Sequence, residues 1–215
     1  GFMKIYLIRH GRQCSKLCNV DVDLCEEGYR QAALLGERLV HGGIEVVYSS
    51  QLLRAVQTAQ AANLYWNVDH IIRPELREIS FGEMEGMCDE DIAVKFADFK
   101  KKQEKMESDL PYPGGESAGQ VIARALPVIE EIASSGVKAA AVVTHGGVIR
   151  SLMTYFLDME PAKYRILGNT LENCSITEVV WNGSKKRFFV ERFNDYAHLE
   201  GHPELLRSSW VDAEN

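Results

Sequence analysis

Short apolar runs alternate with longer amphipathic stretches along almost the whole chain. Residues 5–8, 46–48, 71–73, 139–144, 175–181 and 187–192 are brief, apolar-rich segments bounded by turn residues, which is the pattern of strands. Between them, apolar positions recur at helical spacing over 27–41, 53–63, 89–107, 117–134 and 148–157. Asn182-Gly183 between the last two strands is a hairpin signal, so that pair is expected to run antiparallel at a sheet edge. The alternation predicts an α/β fold, a three-layer α/β/α sandwich with a mostly parallel central sheet and an antiparallel edge. Residues 88–113 are rich in Lys and Glu with Phe96, Phe99 and Met106 interspersed, and read as a small helical cap inserted into a single domain spanning 1–215.

Chemistry concentrates where strands end. The apolar run Ile5-Tyr6-Leu7-Ile8 passes directly into Arg9-His10-Gly11, which puts an imidazole and a guanidinium at a strand-to-glycine junction. Phosphate sites are commonly built at such junctions, where an imidazole can attack phosphorus and a guanidinium can fork onto its oxygens. The same arrangement returns at Val142-Val143-Thr144-His145-Gly146-Gly147, where two glycines open a helical pattern. If the two strands are parallel neighbours, their carboxyl ends meet at one edge and both imidazoles can face one bound group. Taken separately, each would read as a buried structural histidine.

Two further segments add an anion site and an acid. Val46 to Ala59 reads as strand, serine turn and helix, with Ser49 or Ser50 as the expected N-cap and Arg54 in the first turns. A cation there opposes the helix dipole unless an anion lies between them, so Arg54 points to phosphate, against the alternative of a solvent-facing side chain. The loop from Glu75 to Gly86 holds Glu75, Glu78, Glu83 and Glu85. Cleavage of a phosphate ester needs a proton for the departing alkoxide, and any of these carboxyls can supply one.

In this order, with Leu24-Cys25-Glu26-Glu27-Gly28, Pro113-Gly114-Gly115-Glu116-Ser117 and the late Asn173-Cys174-Ser175-Ile176, these segments resemble the histidine phosphatase superfamily, the phosphoglycerate mutase-like family. The resemblance covers nearly the whole chain. It implies that His10 is the nucleophile that becomes phosphohistidine, that Arg9, Arg54 and His145 form the phosphate pocket with Gly146 beside them, and that Glu78 is the proton donor. It implies a metal-independent phosphomonoester hydrolase that needs no cofactor and acts on small phosphorylated metabolites. The alternatives are a 2,3-bisphosphoglycerate-dependent phosphoglycerate mutase and a dedicated phosphatase such as one acting on α-ribazole phosphate. Mutases of the family carry a longer insertion around the acid, and the short 88–113 segment favours hydrolysis. One departure stands out: after Gly11 the loop reads Arg12-Gln13-Cys14-Ser15-Lys16, with Lys16 where the family places an asparagine. Its ammonium is expected to bind phosphate as a point charge.

Composition narrows the setting. A net charge of −7 over 215 residues, with no basic stripe, argues against a nucleic-acid partner and suits a locally basic pocket for small anions. No apolar run approaches membrane-spanning length and the N-terminus carries no signal-peptide pattern, so neither a membrane nor export is expected; Gly1-Phe2 reads as an appendage ahead of Met3. Five cysteines, an odd number, suit a reducing, cytoplasmic compartment. Cys14, Cys18 and Cys25 cluster after His10 but match no common zinc spacing, and read as free thiols. His198 and His202 are read as surface residues. A homodimer is left open.

Overall fold

Every residue of Ala139–Thr144 (β4) is buried, as a strand at the centre of a sheet covered on both faces must be. In the computed structural model, which describes residues 1–211, β4 is flanked by β1 (Phe2–Arg9) and β2 (Val46–Ser49). Next to β2 lies β3 (Asp69–Ile72), and beyond β1 come β5 (Ile176–Asn182) and β6 (Arg187–Asp195), giving the order β3-β2-β4-β1-β5-β6. The first four strands are parallel; β5 pairs antiparallel with β1, and β6 antiparallel with β5.

The period-two alternation of β1 divides the core between two faces. Met3, Ile5 and Leu7 join one apolar cluster with Val121 and Ile129 of α5 (Ala118–Ala133) and Ile149 and Leu152 of α6 (Gly146–Phe156). Tyr6 and Ile8 join the other, with Ala32 and Leu35 of α1 (Glu26–Arg38) and Ala55 and Ala59 of α2 (Leu53–Trp66). The molecule is the three-layer α/β/α sandwich that the alternation predicts.

Two departures bear on the site. The single helix expected over 89–107 is two, α3 (Asp89–Lys95) and α4 (Ala97–Glu104), broken at Phe96 with φ −113° and ψ 27°. Phe96 leaves helical geometry and buries its ring, and the bend lays both short helices along one wall of the site cavity. The second departure is the C-terminal segment. After β6 the chain returns across α1 through two 3-10 turns, Ala197–Leu199 and Pro203–Leu205, into α7 (Arg207–Val211). Buried polar groups pin it: Gln31 Nε2 donates to the Leu205 carbonyl at 2.7 Å and the Arg12 guanidinium to that of Leu206 at 3.1 Å. His198 is therefore not a surface residue. Its ring lies half-buried, with Nε2 on the Cys174 carbonyl at 2.8 Å and Nδ1 facing Arg38 at 2.8 Å, and burial pushes its pKa down to about 4. His202, beside Glu204, is half-buried, its side chain 41% exposed.

Candidate active site

Register places the two histidines. Arg9 of β1 lies opposite Thr144 of β4, and Ser49 of β2 opposite Val143, so the next residue of each strand, His10, His145 and Ser50, emerges at the same edge. The His10 N–H donates to the Thr144 carbonyl at 3.0 Å, extending the ladder by one step. The two imidazole centroids are 5.2 Å apart, with the rings tilted by 49°. Gly11 lets the following loop lie against α1: a Cβ there would sit 2.8 Å from the Gly28 carbonyl oxygen.

Hydrogen bonding sets the state of each ring. His10 Nδ1 lies 2.7 Å from the carbonyl oxygen of Gly11, an acceptor only, so Nδ1 carries the proton and Nε2 the lone pair. Burial, reinforced by Arg54 and Arg9, holds the His10 pKa well below its usual value and keeps the ring neutral. His145 Nε2 pairs with the Ser50 hydroxyl at 2.7 Å, while its Nδ1 is buried without a partner. When Ser50 donates to Nε2, Nδ1 carries the free N–H and can give it to an anion. Ser50 thus does not cap α2. Leu52 occupies the N-cap position, and the Ser49 hydroxyl is drawn to His70 at 2.7 Å, because β2 continues through Ser49 and turns its side chain toward β3.

The cations surround this pair. Arg9 donates to the Leu171 carbonyl and leaves its Nε buried without a partner; desolvation, with Arg207 and Arg54 nearby, lowers its pKa to about 9, so it stays charged at neutral pH. Arg54, in the first turn of α2, is 4% exposed and is held by Asn19 Oδ1 at 2.6 Å and the Val20 carbonyl at 3.1 Å. Asn19, at φ 49°, lines the same cavity. The Lys16 ammonium lies on the rim of the same cavity and donates to the Trp210 carbonyl at 2.9 Å, 5.6 Å from the centroid of its indole.

Of the four candidate acids, Glu78 alone lines the cavity. Glu75 pairs with Arg73, and Glu85 accepts from the Phe81 N–H at 3.1 Å. Glu78 Oε1 accepts from the Ile79 N–H at 2.7 Å, and Oε2 from the Gly147 N–H at 3.2 Å in the first turn of α6. Gly147 is what makes this approach possible: a Cβ there would lie 2.4 Å from Glu78 Oε1. Gly146, the residue singled out from sequence, makes an ordinary 3.6 Å contact between such a Cβ and Arg9 Nε, and lines a smaller pocket behind Arg9 and Glu78. The main cavity measures about 870 Å³ and brings together Arg9, His10, Arg54 and Glu78, with His145 packed behind His10. Sequence reasoning named Ser50 only as a helix cap and Gly147 only as a helix opener, and it missed Asn19 and the tail residues Arg207 and Trp210, which nothing local marks. Cys14, Cys18 and Cys25 are free thiols, and burial pushes the Cys18 thiol up to about 11.

One cavity thus holds an imidazole, two guanidinium groups and a carboxyl, a setting suited to an anionic ligand. The model of the histidine phosphatase superfamily (branch 1) matches residues 5–195, and the chain belongs to that family. It is 30% identical to a metal-independent phosphoserine phosphatase of Arabidopsis thaliana, across 98% of this chain and 89% of the relative. It is 28% identical to a 2,3-bisphosphoglycerate-dependent phosphoglycerate mutase of Bradyrhizobium sp., across 73% and 82%. Among solved structures, Bacillus stearothermophilus YhfR superposes with a TM-score of 0.80 at 26% identity, covering 92% of this chain and all of that one. A mycobacterial glucosyl-3-phosphoglycerate phosphatase in complex with inorganic phosphate gives 0.81 at 25% identity, covering 91% and 99%. Among the described residues, no helix is long and apolar enough to cross a membrane.

Proposed function

We propose that the protein hydrolyses phosphomonoesters of small metabolites through a phosphohistidine on His10, as one domain with residues 88–113 as its cap. The observation that carries this reading is the 2.7 Å contact from His10 Nδ1 to the Gly11 carbonyl, which commits Nε2 to the cavity as a neutral nucleophile. Nε2 attacks phosphorus as the bond to the leaving oxygen breaks. Arg9, Arg54 and the Nδ1–H of His145 meet the charge on the three equatorial oxygens. Glu78 gives its proton to the departing alkoxide. Water then attacks the phosphohistidine, its proton passes to the ionised Glu78, the P–N bond breaks and phosphate leaves. Lys16 is a rim cation in this scheme, and Gly146 opens the helix that carries Gly147 to Glu78.

Metal-independent phosphoserine phosphatase activity and glucosyl-3-phosphoglycerate phosphatase activity in relatives support hydrolysis. A mutase remains the second reading, favoured by the tail that covers the cavity at Arg207 and Trp210 and by the Bradyrhizobium relative. Five free thiols support a reducing compartment, and the acid surface supports a small-molecule partner over nucleic acid. The test is acid-labile phosphate trapped on the protein during turnover of p-nitrophenyl phosphate. The wild type should carry it and His10→Ala should lose both label and activity; label or turnover persisting in His10→Ala overturns the assignment. Interconversion of 2- and 3-phosphoglycerate primed by bisphosphoglycerate would move the protein to the mutases.

A further inference from the structure

The segment Pro113-Gly114-Gly115-Glu116-Ser117 has no part in the proposed chemistry, and neither Glu116 nor Arg124 of α5 lines the main cavity. Both are nevertheless built against the acid. Glu78 lies on irregular backbone between the 3-10 turns Pro74–Leu76 and Gly82–Met84, so neither a helix nor a strand ladder fixes where its side chain starts. Arg124 does this instead. Its Nη1 donates to the Glu75 carbonyl at 2.6 Å and to the Arg77 carbonyl at 2.8 Å. Its Nη2 donates to the carbonyl of Glu78 itself at 3.0 Å and to Glu116 Oε1 at 2.9 Å, and its Nε to Glu116 Oε2 at 2.9 Å. All five N–H groups of the guanidinium are engaged, three of them with carbonyls of residues 75–78.

Glu116 closes the clasp from the other side. Its Oε1 also accepts from the Ser80 N–H at 2.9 Å, and its own N–H donates to the Ser80 carbonyl at 2.9 Å. Burial alone would raise the Glu116 pKa, yet the hydrogen bonds from Arg124 and the Ser80 N–H hold it below the usual carboxylate value, so it stays ionised at neutral pH. The side chains of Arg124 and Glu116 are only 13% and 19% exposed, which leaves their pairing less screened by salt than a surface ion pair. Gly115 lets the segment lie flat on the acid loop, for a Cβ there would stand 2.3 Å from the Ser80 carbonyl oxygen. The Leu76 carbonyl, which Arg124 leaves free, accepts at 2.7 Å from the hydroxyl of Thr144, the residue before His145. Glu78 therefore reaches toward Gly147 from backbone that is held on both sides.

We propose that Arg124 and Glu116 are positioning residues for the general acid: their ion pair fixes the backbone from which the Glu78 carboxyl is aimed at the departing oxygen, and neither touches the substrate. This rests on the hydrolase reading and on Glu78 as its acid. A reacting group misplaced by about 1 Å can cost on the order of 100-fold, so the accuracy of the loop matters to the rate. Only arginine can serve here, because lysine carries its donors on a single nitrogen and cannot span three carbonyls and a bidentate carboxylate.

Arg124→Lys, which keeps the charge, and Glu116→Gln, which keeps an acceptor for the Ser80 N–H, test it. Each should lower kcat for an alkyl ester such as glycerol 3-phosphate about tenfold or more, with KM, p-nitrophenyl phosphate turnover and vanadate inhibition all within about twofold of the wild type. In Glu78→Gln protein neither substitution should slow the alkyl ester further, because its effect runs through that carboxyl. Equal losses on both substrates with weakened vanadate inhibition, which a purely structural role would give, overturn the proposal. A fully additive loss in the Glu78→Gln background does so too. Amide hydrogen exchange over residues 75–80 reads the clasp without turnover: it should quicken in both variants, and unchanged exchange overturns the proposal whatever the kinetics. Failure of the underlying reading looks different. In that case Glu78→Gln itself shows no leaving-group dependence, whereas failure of the clasp leaves Glu78→Gln selective and the two variants without that selectivity.

Discussion

Gly147→Ala is the sharpest perturbation of the proposed chemistry, because it displaces the acid without touching a charged group. The added methyl would stand 2.4 Å from Glu78 Oε1, 2.7 Å from Ile79 Cγ2 and 3.2 Å from Glu78 Cδ, so the carboxyl must move by the better part of an ångström. Its contact with the Gly147 N–H, already 3.2 Å, would be lost with it. Stability should fall by about 0–2.5 kcal/mol, the balance of two opposing effects. Crowding of this kind costs about 1–3 kcal/mol, while alanine for glycine inside a helix returns about 0.5–1 kcal/mol. Catalysis should suffer more, since a misplacement near 1 Å can cost on the order of 100-fold, within the 10²–10⁴-fold range of general acid help. That help matters only where the alkoxide needs a proton. Turnover of alkyl phosphates should therefore fall on the order of 100-fold, turnover of p-nitrophenyl phosphate should fall far less, and vanadate inhibition should stay within about twofold. A leaving-group dependence identical to the wild type would refute the link between Gly147 and Glu78, and a matching loss of vanadate affinity would show that the pocket itself had been disturbed.

Two other expectations follow from the same geometry. Glu78→Gln should reproduce the leaving-group signature of Gly147→Ala, whereas Glu83→Gln and Glu85→Gln should not, because neither of those acids lines the cavity; the reverse pattern would show that the wrong acid has been assigned. The second concerns His198, whose folded pKa of about 4 lies below the value near 6.5 of an unfolded histidine. As pH falls through 6.5 the unfolded chain takes up a proton that the folded one refuses, so stability drops until about pH 4, by roughly 3 kcal/mol from this group alone. His198→Gln should flatten that part of the stability curve in urea titrations between pH 6.5 and 4, and parallel curves would count against a neutral, buried His198.

How far the sequence speaks for itself is clearest at the sheet edge. The run Ile5-Tyr6-Leu7-Ile8 before Arg9-His10-Gly11, and Val142-Val143-Thr144 before His145-Gly146, each place a histidine one residue past a strand, and backbone geometry allows little else. Alternation within β1 likewise commits Ile5 and Leu7 to one core face and Tyr6 and Ile8 to the other. Such features are local: they depend on periodicity, on which residues can leave a strand, and on glycine where chains approach. The tertiary structure decided what depends on separation through space. It selected Glu78 from four acids because only its backbone position reaches Gly147, it brought Asn19 rather than Lys16 to Arg54, and it turned Ser50 from a helix cap into the partner of His145. It also carried Arg207 and Trp210 across nearly the length of the chain to Arg12 and Lys16 beside His10. No local pattern marks a tail residue as part of a site, because what holds it there is a set of hydrogen bonds between segments about 170–190 residues apart.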